Sequence, residues 1–134
     1  MSSSRITETI YLRVTTIEFH DNGILFLKLN DNTEFQLEDS IELYNALMSK
    51  FDGRNKFRIL VDPGGYTSIT KEAREFSGNP EKNTMTAATA VIVKSLAHRL
   101  VINFIIKLLQ EKNMKIKMFE SQEKALDWLL SIKA

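Results

Sequence analysis

The chain has 134 residues, of which 43% are hydrophobic and 26% are charged, and its formal net charge is +1. This length fits one domain with a buried core, and the small net charge argues against a general electrostatic binder of nucleic acid. The lack of cysteine excludes disulfides, thiolate metal sites and cysteine nucleophiles. No signal peptide follows Met1, and no apolar run reaches the ~20 residues that span a bilayer. We expect a soluble cytoplasmic protein, one domain over residues 1–134 with residues 1–6 flexible, that binds no nucleic acid and has no membrane span.

The first part of the chain has the pattern of β-strands joined by short turns. Residues 8–20 are rich in β-branched and aromatic side chains, and Asp-Asn-Gly at 21–23 is a strong hairpin signal. Residues 24–29 form the return strand, and a second turn at 30–32 leads to a third short strand at 33–37. This pattern predicts an antiparallel meander.

Helices and strands alternate in the rest of the chain. Asp39 caps the first predicted helix, with Glu42 three residues later in capping-box spacing, and Thr70 and Ser121 cap two further helices. The predicted elements are a buried strand at 57–62, a helix at 71–77 that Gly78 ends, a strand at 87–94 covered on both faces, a long helix at 96–112, a strand at 115–119 near a sheet edge, and a last helix. Alternation of this kind favours a mostly parallel sheet with right-handed crossovers.

Three segments carry a family resemblance: ILVDPGGYTSITKEAREF, AVIVKS with RLVINFIIKL, and KMFESQEKALDWL. Over roughly residues 18–131 they resemble a family of uncharacterised Bacteroidetes proteins with a STAS-like (SpoIIAA-like, SEC14-like) fold. The resemblance implies an α/β fold in which antiparallel hairpin strands feed a mostly parallel sheet with about four helices. It also implies a homodimer, and no catalytic residues. Wider STAS relatives carry a phosphorylatable serine at a helix start, but this sequence reads Thr70-Lys71-Glu72-Ala73 there, which argues against such a phosphoswitch.

The loop after the strand at 57–62 is the first candidate site for a ligand or partner. In open α/β sheets such sites lie beyond the carboxyl ends of strands. Asp62 ends the strand, Gly64 and Gly65 let the backbone approach an anion, and a helix amino terminus points to the same place. A tight turn is the alternative interpretation of the two glycines.

Further polar residues could join this candidate site. Thr67, Ser68 and Thr70 are hydroxyls close to a helix start, where either phosphorylation or ordinary capping explains them. Arg99 and Asn103 lie one turn apart at the amino end of the long helix, at the sheet edge where we also expect Asp62. They form either a polar site with Asp62 or a salt bridge and a solvated stripe.

The long helix at 96–112 is apolar over an unusually wide arc. The arc is close to twice the ~100° stripe of a surface helix that faces one core. Three uses remain open: burial within the subunit, a homodimer seam, and a pocket for an apolar ligand. The residues of the predicted seam are Ile102, Ile105, Ile106 and Leu109.

No constellation for catalysis or metal binding stands out. His20 and His98 have no partner at ligand spacing, and the sequence implies no cofactor. The leading hypothesis is a non-catalytic regulatory or protein-interaction module, homodimeric, with a regulatory protein as a partner. The alternative is a carrier of a small apolar ligand or lipid. An enzyme would require Asp62, Arg99, Asn103 or His98 to line one cleft.

Overall fold

Among the residues that the structure describes, a six-stranded sheet carries four helices. The computed structural model describes residues 4–65 and 67–133. The strands are β1 (Ile6–Tyr11), β2 (Thr15–His20), β3 (Ile24–Leu29), β4 (Thr33–Phe35), β5 (Phe57–Asp62), β6 (Thr67–Ile69), β7 (Thr86–Ile92) and β8 (Ile116–Phe119). The helices are α1 (Leu37–Lys50), α2 (Lys71–Ser77), α3 (Leu96–Gln110) and α4 (Gln122–Ser131), and a single 3₁₀ turn spans Pro80–Lys82.

The sheet has the order β1-β2-β3-β5-β7-β8. Strands β1, β2 and β3 pair antiparallel, whereas β3, β5, β7 and β8 run parallel, with Leu25 beside Ile59 and Ile59 beside Thr89. The predicted fold class, antiparallel hairpin strands feeding a mostly parallel sheet, is confirmed. The turn between β2 and β3 is the predicted hairpin, in which Gly23 has φ +83° and the Asn22 side chain accepts a hydrogen bond from the Ile24 amide.

The predicted meander was wrong in two places. Residues 8–20 are not one strand, because the chain reverses between β1 and β2, where the Leu12 amide donates to the Thr15 carbonyl. The predicted third strand is the short β4, and it does not join the main sheet. It pairs in parallel with β6, which the sequence analysis treated as loop.

The start of α1 was also predicted incorrectly. Gln36, not Asp39, is the N-cap, and Asp39 is the third helical residue that closes the capping box by accepting from the Gln36 amide at 2.8 Å. The capping box was predicted three residues too late, because Asp39 and Glu42 are separated by the same three positions as Gln36 and Asp39. The predicted caps Thr70 and Ser121 are confirmed, and α3 ends at Gln110 rather than at residue 112.

The two faces of the sheet are covered unequally. Helix α4 alone covers one face, where Ala125 and Leu129 pack on Ile24, Leu60 and Ala90. Three helices share the other face. There α1 and α3 rest on separate clusters of buried side chains, and α2 packs on α1. Val61 of the central strand β5 touches both clusters and is only half-buried, so the two helices do not meet above it.

A buried carboxylate ties α1 to the β1–β2 connection. Asp39 is 3% exposed, and its two oxygens accept from Nε and one terminal nitrogen of Arg13 at 2.7 and 2.6 Å. The Glu42 side chain accepts from the Arg13 amide at 3.0 Å. These hydrogen bonds from Arg13, and then the bond from the Gln36 amide, lower the pKa of Asp39 below its ordinary value.

Asp39→Asn should lower the free energy of unfolding by about 1–3 kcal/mol, because the amide keeps the shape but places an uncharged, partly N–H-donating group at a buried position where Arg13 and the Gln36 amide both donate. The folded-state pKa of Asp39 is depressed, so its contribution is fully present above its unfolded pKa of about 4 and is lost as the pH falls through the folded pKa. Urea unfolding at neutral and acidic pH measures both effects, and the variant should lose less stability on acidification than the wild type.

The matched control for this test is Glu38→Gln. Glu38 is the exposed carboxylate that precedes Asp39 in the same helix, and its replacement should change stability by no more than ~0.5 kcal/mol. Equal losses in the two variants would show that the Arg13–Asp39 pair is not what stabilises this connection.

Candidate functional site

The loop after β5 uses its amides to bind carboxylates of the chain itself. Gly64 has φ +78°, and its amide donates to the Asp62 side chain at 3.0 Å. The exposed Gly65 donates to the side chain of Asp31, in the loop before β4, at 2.6 Å. An incoming anion would have to displace both carboxylates and would meet their negative charge. The geometry therefore agrees with the turn interpretation of the two glycines.

The hydroxyls near α2 have mainly structural surroundings. The Thr70 side chain accepts from the Ala73 amide at 3.2 Å, and its own amide donates to the Phe35 carbonyl at 3.0 Å. Ser68 is exposed on β6. The backbone of Thr67 pairs with that of Thr33. The Thr67 side chain and all of Tyr66 lie outside the described part of the chain. The same is true of residues 1–3, which belong to the segment predicted to be flexible.

Arg99 pairs with a residue that the sequence analysis did not consider. Its guanidinium forms an ion pair with Glu120, just after β8, and this hydrogen bond lowers the pKa of the Glu120 carboxyl. Asn103 is half-buried one turn further along α3. Asp62, Arg99 and Asn103 lie outside the lining of the large cleft described below. The salt-bridge alternative for Arg99 is the one that the geometry matches.

The two histidines are far apart. The ring of His20 stacks on Phe26 with centroids 4.0 Å apart, and its Nδ1 lies 2.7 Å from the Ser4 hydroxyl. His98 is in the first turn of α3, where its amide donates to the Ser95 side chain. Within residues 4–65 and 67–133, no group of three or more His, Cys, Asp or Glu side chains could hold a metal ion.

The predicted dimer seam divides between core and surface of α3. Ile106 and Leu109 are buried within the subunit against Val91, Val93 and Ile116. Ile102 and Ile105 are half-buried and pack on the same cluster. The large apolar side chains that α3 does expose are different ones, among its first nine residues: Leu96, Leu100, Val101 and Phe104.

A cleft of about 620 Å³ lies between α3 and the α1–α2 pair. Its floor is the part of the sheet face that lies between the two helices, around the half-buried Val61. The floor residues are Leu27 and Leu29 of β3, Ile59 and Val61 of β5, and Thr89 and Val91 of β7. This volume is within the ~300–1,000 Å³ of small-molecule sites, and a mostly apolar lining is typical of them.

The walls of the cleft come from helices on both sides. Leu43, Tyr44 and Leu47 of α1 and Phe76 of α2 form one wall. The opposite wall is α3, through Ala97, Val101, Ile102, Phe104, Ile105, Ile106 and Leu109. Pro63 and Gly65 of the loop beyond β5, and Ser68 and Ile69 of β6, border the cleft at the carboxyl edge of the sheet.

Gly78, at the end of α2, lies close to α3. A Cβ atom on Gly78 would lie 2.7 Å from Cδ2 of Leu109 and 3.1 Å from the Arg74 carbonyl oxygen, so a larger residue there would have to displace the Leu109 side chain. Leu109 lines the cleft, whereas the large apolar side chains that α3 exposes lie nearer its amino end.

Polar groups border the cleft on the α1–α2 side. Lys82, in the 3₁₀ turn, places Nζ 4.8 Å from the ring centroid of Tyr44 and 5.4 Å from that of Phe76. Arg74 of α2 also lines the cleft. The wide apolar arc of α3 left a ligand pocket as one of three alternatives, but the sequence has no signal for the residues on the other side, because only the tertiary fold brings α1, α2 and the 3₁₀ turn opposite α3.

Comparison with known proteins defines the class of this fold. The structure is similar to the crystal structure of an uncharacterised protein of the DUF3478 family with a SpoIIAA-like fold from Shewanella loihica PV-4. The TM-score is 0.57 at 18% sequence identity, over 96% of this chain and 98% of that one. The protein thus has an α/β fold that is similar to the SpoIIAA-like fold.

The family follows from the sequence. Residues 17–133 match the model of a family described as a domain of unknown function, DUF7793, and the chain belongs to that family. No curated protein matches the chain. Among the described helices, none is long and apolar enough to cross a membrane.

Gly78→Ala should destabilise the protein by ~1–3 kcal/mol, because the new methyl group overlaps the buried side chain of Leu109. Gly78 has φ −86°, which alanine tolerates, so the cost is steric. Chemical denaturation of Gly78→Ala, Leu109→Ala and the double variant tests this in a double-mutant cycle.

Leu109→Ala alone should cost ~2–5 kcal/mol, as a buried leucine does. The double variant should lose less than the sum of the two single losses, because removing the leucine side chain makes room for the methyl group. Strict additivity would mean that Gly78 and Leu109 do not set the distance between α2 and α3.

Proposed function

We propose that this domain binds a small apolar molecule in the cleft between α3 and the α1–α2 pair. The observation that carries the proposal is the cleft itself, about 620 Å³ in volume and floored by aliphatic side chains of the sheet. Of the two functional hypotheses from the sequence, the cleft supports the carrier of an apolar ligand or lipid more directly than the regulatory module.

The energetics of the uncovered residues favour an occupant. Val61 is half-buried on the central strand β5, between the side-chain clusters beneath α1 and α3, and Val101 across the cleft is 57% exposed. Covering apolar surface of this kind stabilises a complex by roughly 25 cal/mol per Å². An apolar ligand would complete the core that α1 and α3 leave open.

Catalysis has less support than binding. Asp62, Arg99 and Asn103 are not among the cleft residues, and His98 is the one member of that candidate group that lines it. A non-catalytic role therefore remains our proposal. Four further expectations from the sequence stay predictions. They are the single domain over 1–134, the cytoplasmic location, the Bacteroidetes origin and a partner site at the Asp62–Thr70 loop.

A second candidate function is association through the outer side of α3. Leu96 and Leu100 are 74% and 67% exposed, one helical turn apart, and neither lines the cleft. We propose that these two side chains, rather than the predicted seam of Ile102, Ile105, Ile106 and Leu109, are the centre of a homodimer contact or of a contact with a regulatory protein. Ile106 and Leu109 are already buried by their own subunit, which leaves them little surface to bury against another.

Val101→Trp should weaken binding of a neutral apolar fluorophore, N-phenyl-1-naphthylamine, by about tenfold or more, since the indole ring would fill the cleft. Fluorescence titration gives the Kd. Leu100→Trp is the matched control, because it adds the same ring to the neighbouring exposed position outside the cleft, and its Kd should equal that of the wild type. Equal affinity of both variants, or no binding by the wild type, would contradict the proposal.

Leu100→Asp should raise the dimer dissociation constant about tenfold or more, because dimerisation would bury an unpaired carboxylate. Sedimentation equilibrium on the wild type and variant measures this constant. Leu130→Asp, on α4 at the opposite face of the sheet and 50% exposed in the native chain, is the control that should leave it unchanged. The proposed homodimer contact through Leu96 and Leu100 would be contradicted by a wild type that stays monomeric at high micromolar concentration. A dimer that only Leu130→Asp dissociates would contradict it as well.

A further inference from the structure

The charged residues of the cleft are all basic. Arg74 and Lys82 line it, and no aspartate or glutamate does. This is unexpected from composition, because the chain has nearly as many acidic as basic side chains, 17 against 18. Both cations lie on the α1–α2 side, so one part of an otherwise apolar cleft is positively charged.

Neither cation has a carboxylate partner among the residues that the structure describes. The basic residues with an acidic group within 4.0 Å are Arg13, Lys28, Lys50, Lys71 and Arg99, together with His20. Lys82 instead lies over the rings of Tyr44 and Phe76, whose centroids are 5.9 Å apart in an edge-to-face pair. Cation–π contacts place the ammonium group at the cleft without neutralising its charge.

The neighbouring polar groups already have partners within the fold. Ser40 donates to the Ala73 carbonyl, and the Ser77 hydroxyl lies 3.3 Å from that of Ser40. The side-chain Nδ2 of Asn83 donates to the backbone carbonyls of Ser77 and Asn79. The two cations are thus the lining groups whose charge is left for a ligand.

We infer that the natural ligand is a single-chain amphiphile with an anionic head group, a fatty acid. The carboxylate binds at Lys82 and Arg74, and the hydrocarbon chain lies on the floor around Val61 between α1 and α3. A volume of about 620 Å³ suits one chain of this kind. This inference rests on the proposed function and names the class of ligand.

Charge complementarity distinguishes this ligand from a neutral one. An uncharged apolar occupant would displace water from Lys82 and Arg74 and give no anion in return, which disfavours binding. A carboxylate replaces that water with charge-assisted hydrogen bonds, and arginine can bind it through two nitrogens. The same hydrocarbon chain should therefore bind more tightly as an acid than as an alcohol.

Competition against N-phenyl-1-naphthylamine tests the inference, with dodecanoate, dodecanol and dodecylamine as competitors below their aggregation limits. At pH 8 the acid is ionised, and wild-type protein should bind dodecanoate about tenfold more tightly than dodecanol, with dodecylamine weakest. Lys82→Gln and Arg74→Gln should each reduce the preference for the acid, and the double variant should abolish it while still binding the alcohol.

Lys71→Gln is the matched control. It removes a cation from the first turn of the same helix, but Lys71 is exposed, faces Glu75 and does not line the cleft, so the preference should not change. If the fluorophore binds but acid and alcohol compete equally, or if the cleft variants keep the full preference, the fatty-acid inference is wrong and the proposed function stands. If neither the fluorophore nor any competitor binds, both are wrong.

Discussion

The sharing of one sheet face by three helices is the constraint on which the character of this molecule depends. Helices α1 and α2 pack on each other, whereas α3 has its own cluster of buried side chains on the sheet and comes close to the end of α2 where Leu109 meets Gly78. Ile106 of α3 is buried in that cluster, but Leu100 is exposed. The cleft lies in the space between α3 and the α1–α2 pair, with the sheet around Val61 as its floor.

The position where open α/β sheets usually bind ligands has a different use here. The loop beyond β5 holds Asp62 and Asp31 on its own glycine amides, and Thr70 caps α2 with its side chain. Backbone donors that would otherwise bind an anion are thereby satisfied within the fold. The cleft lies beside this loop, above apolar side chains of the sheet. Its lining is therefore mostly hydrophobic, with Arg74 and Lys82 on one side.

Local sequence signals predicted the elements whose causes are local. The Asp-Asn-Gly hairpin, the Thr70 and Ser121 caps and the largely apolar strand β7 each depend on neighbouring residues, and all are present. The errors arose where distant residues decide. Asp39 accepts hydrogen bonds from the side chain of Arg13, 26 positions earlier, and is the third residue of α1 rather than its cap. Strand β4 forms because β6 pairs with it, 34 positions along the chain.

The wide apolar arc of α3 shows why a correct sequence signal left the function open. Burial, a dimer seam and a ligand pocket were alternatives for the whole helix, yet the fold divides the arc among different surfaces. Ile106 and Leu109 belong to the core, Val101 faces the cleft, and Leu96 and Leu100 point away from both. Successive helical residues are rotated by about 100°, so an arc of nearly 200° necessarily presents more than one surface. The period of a pattern determines which residues share a side, whereas the neighbours that cover each side are determined by tertiary packing.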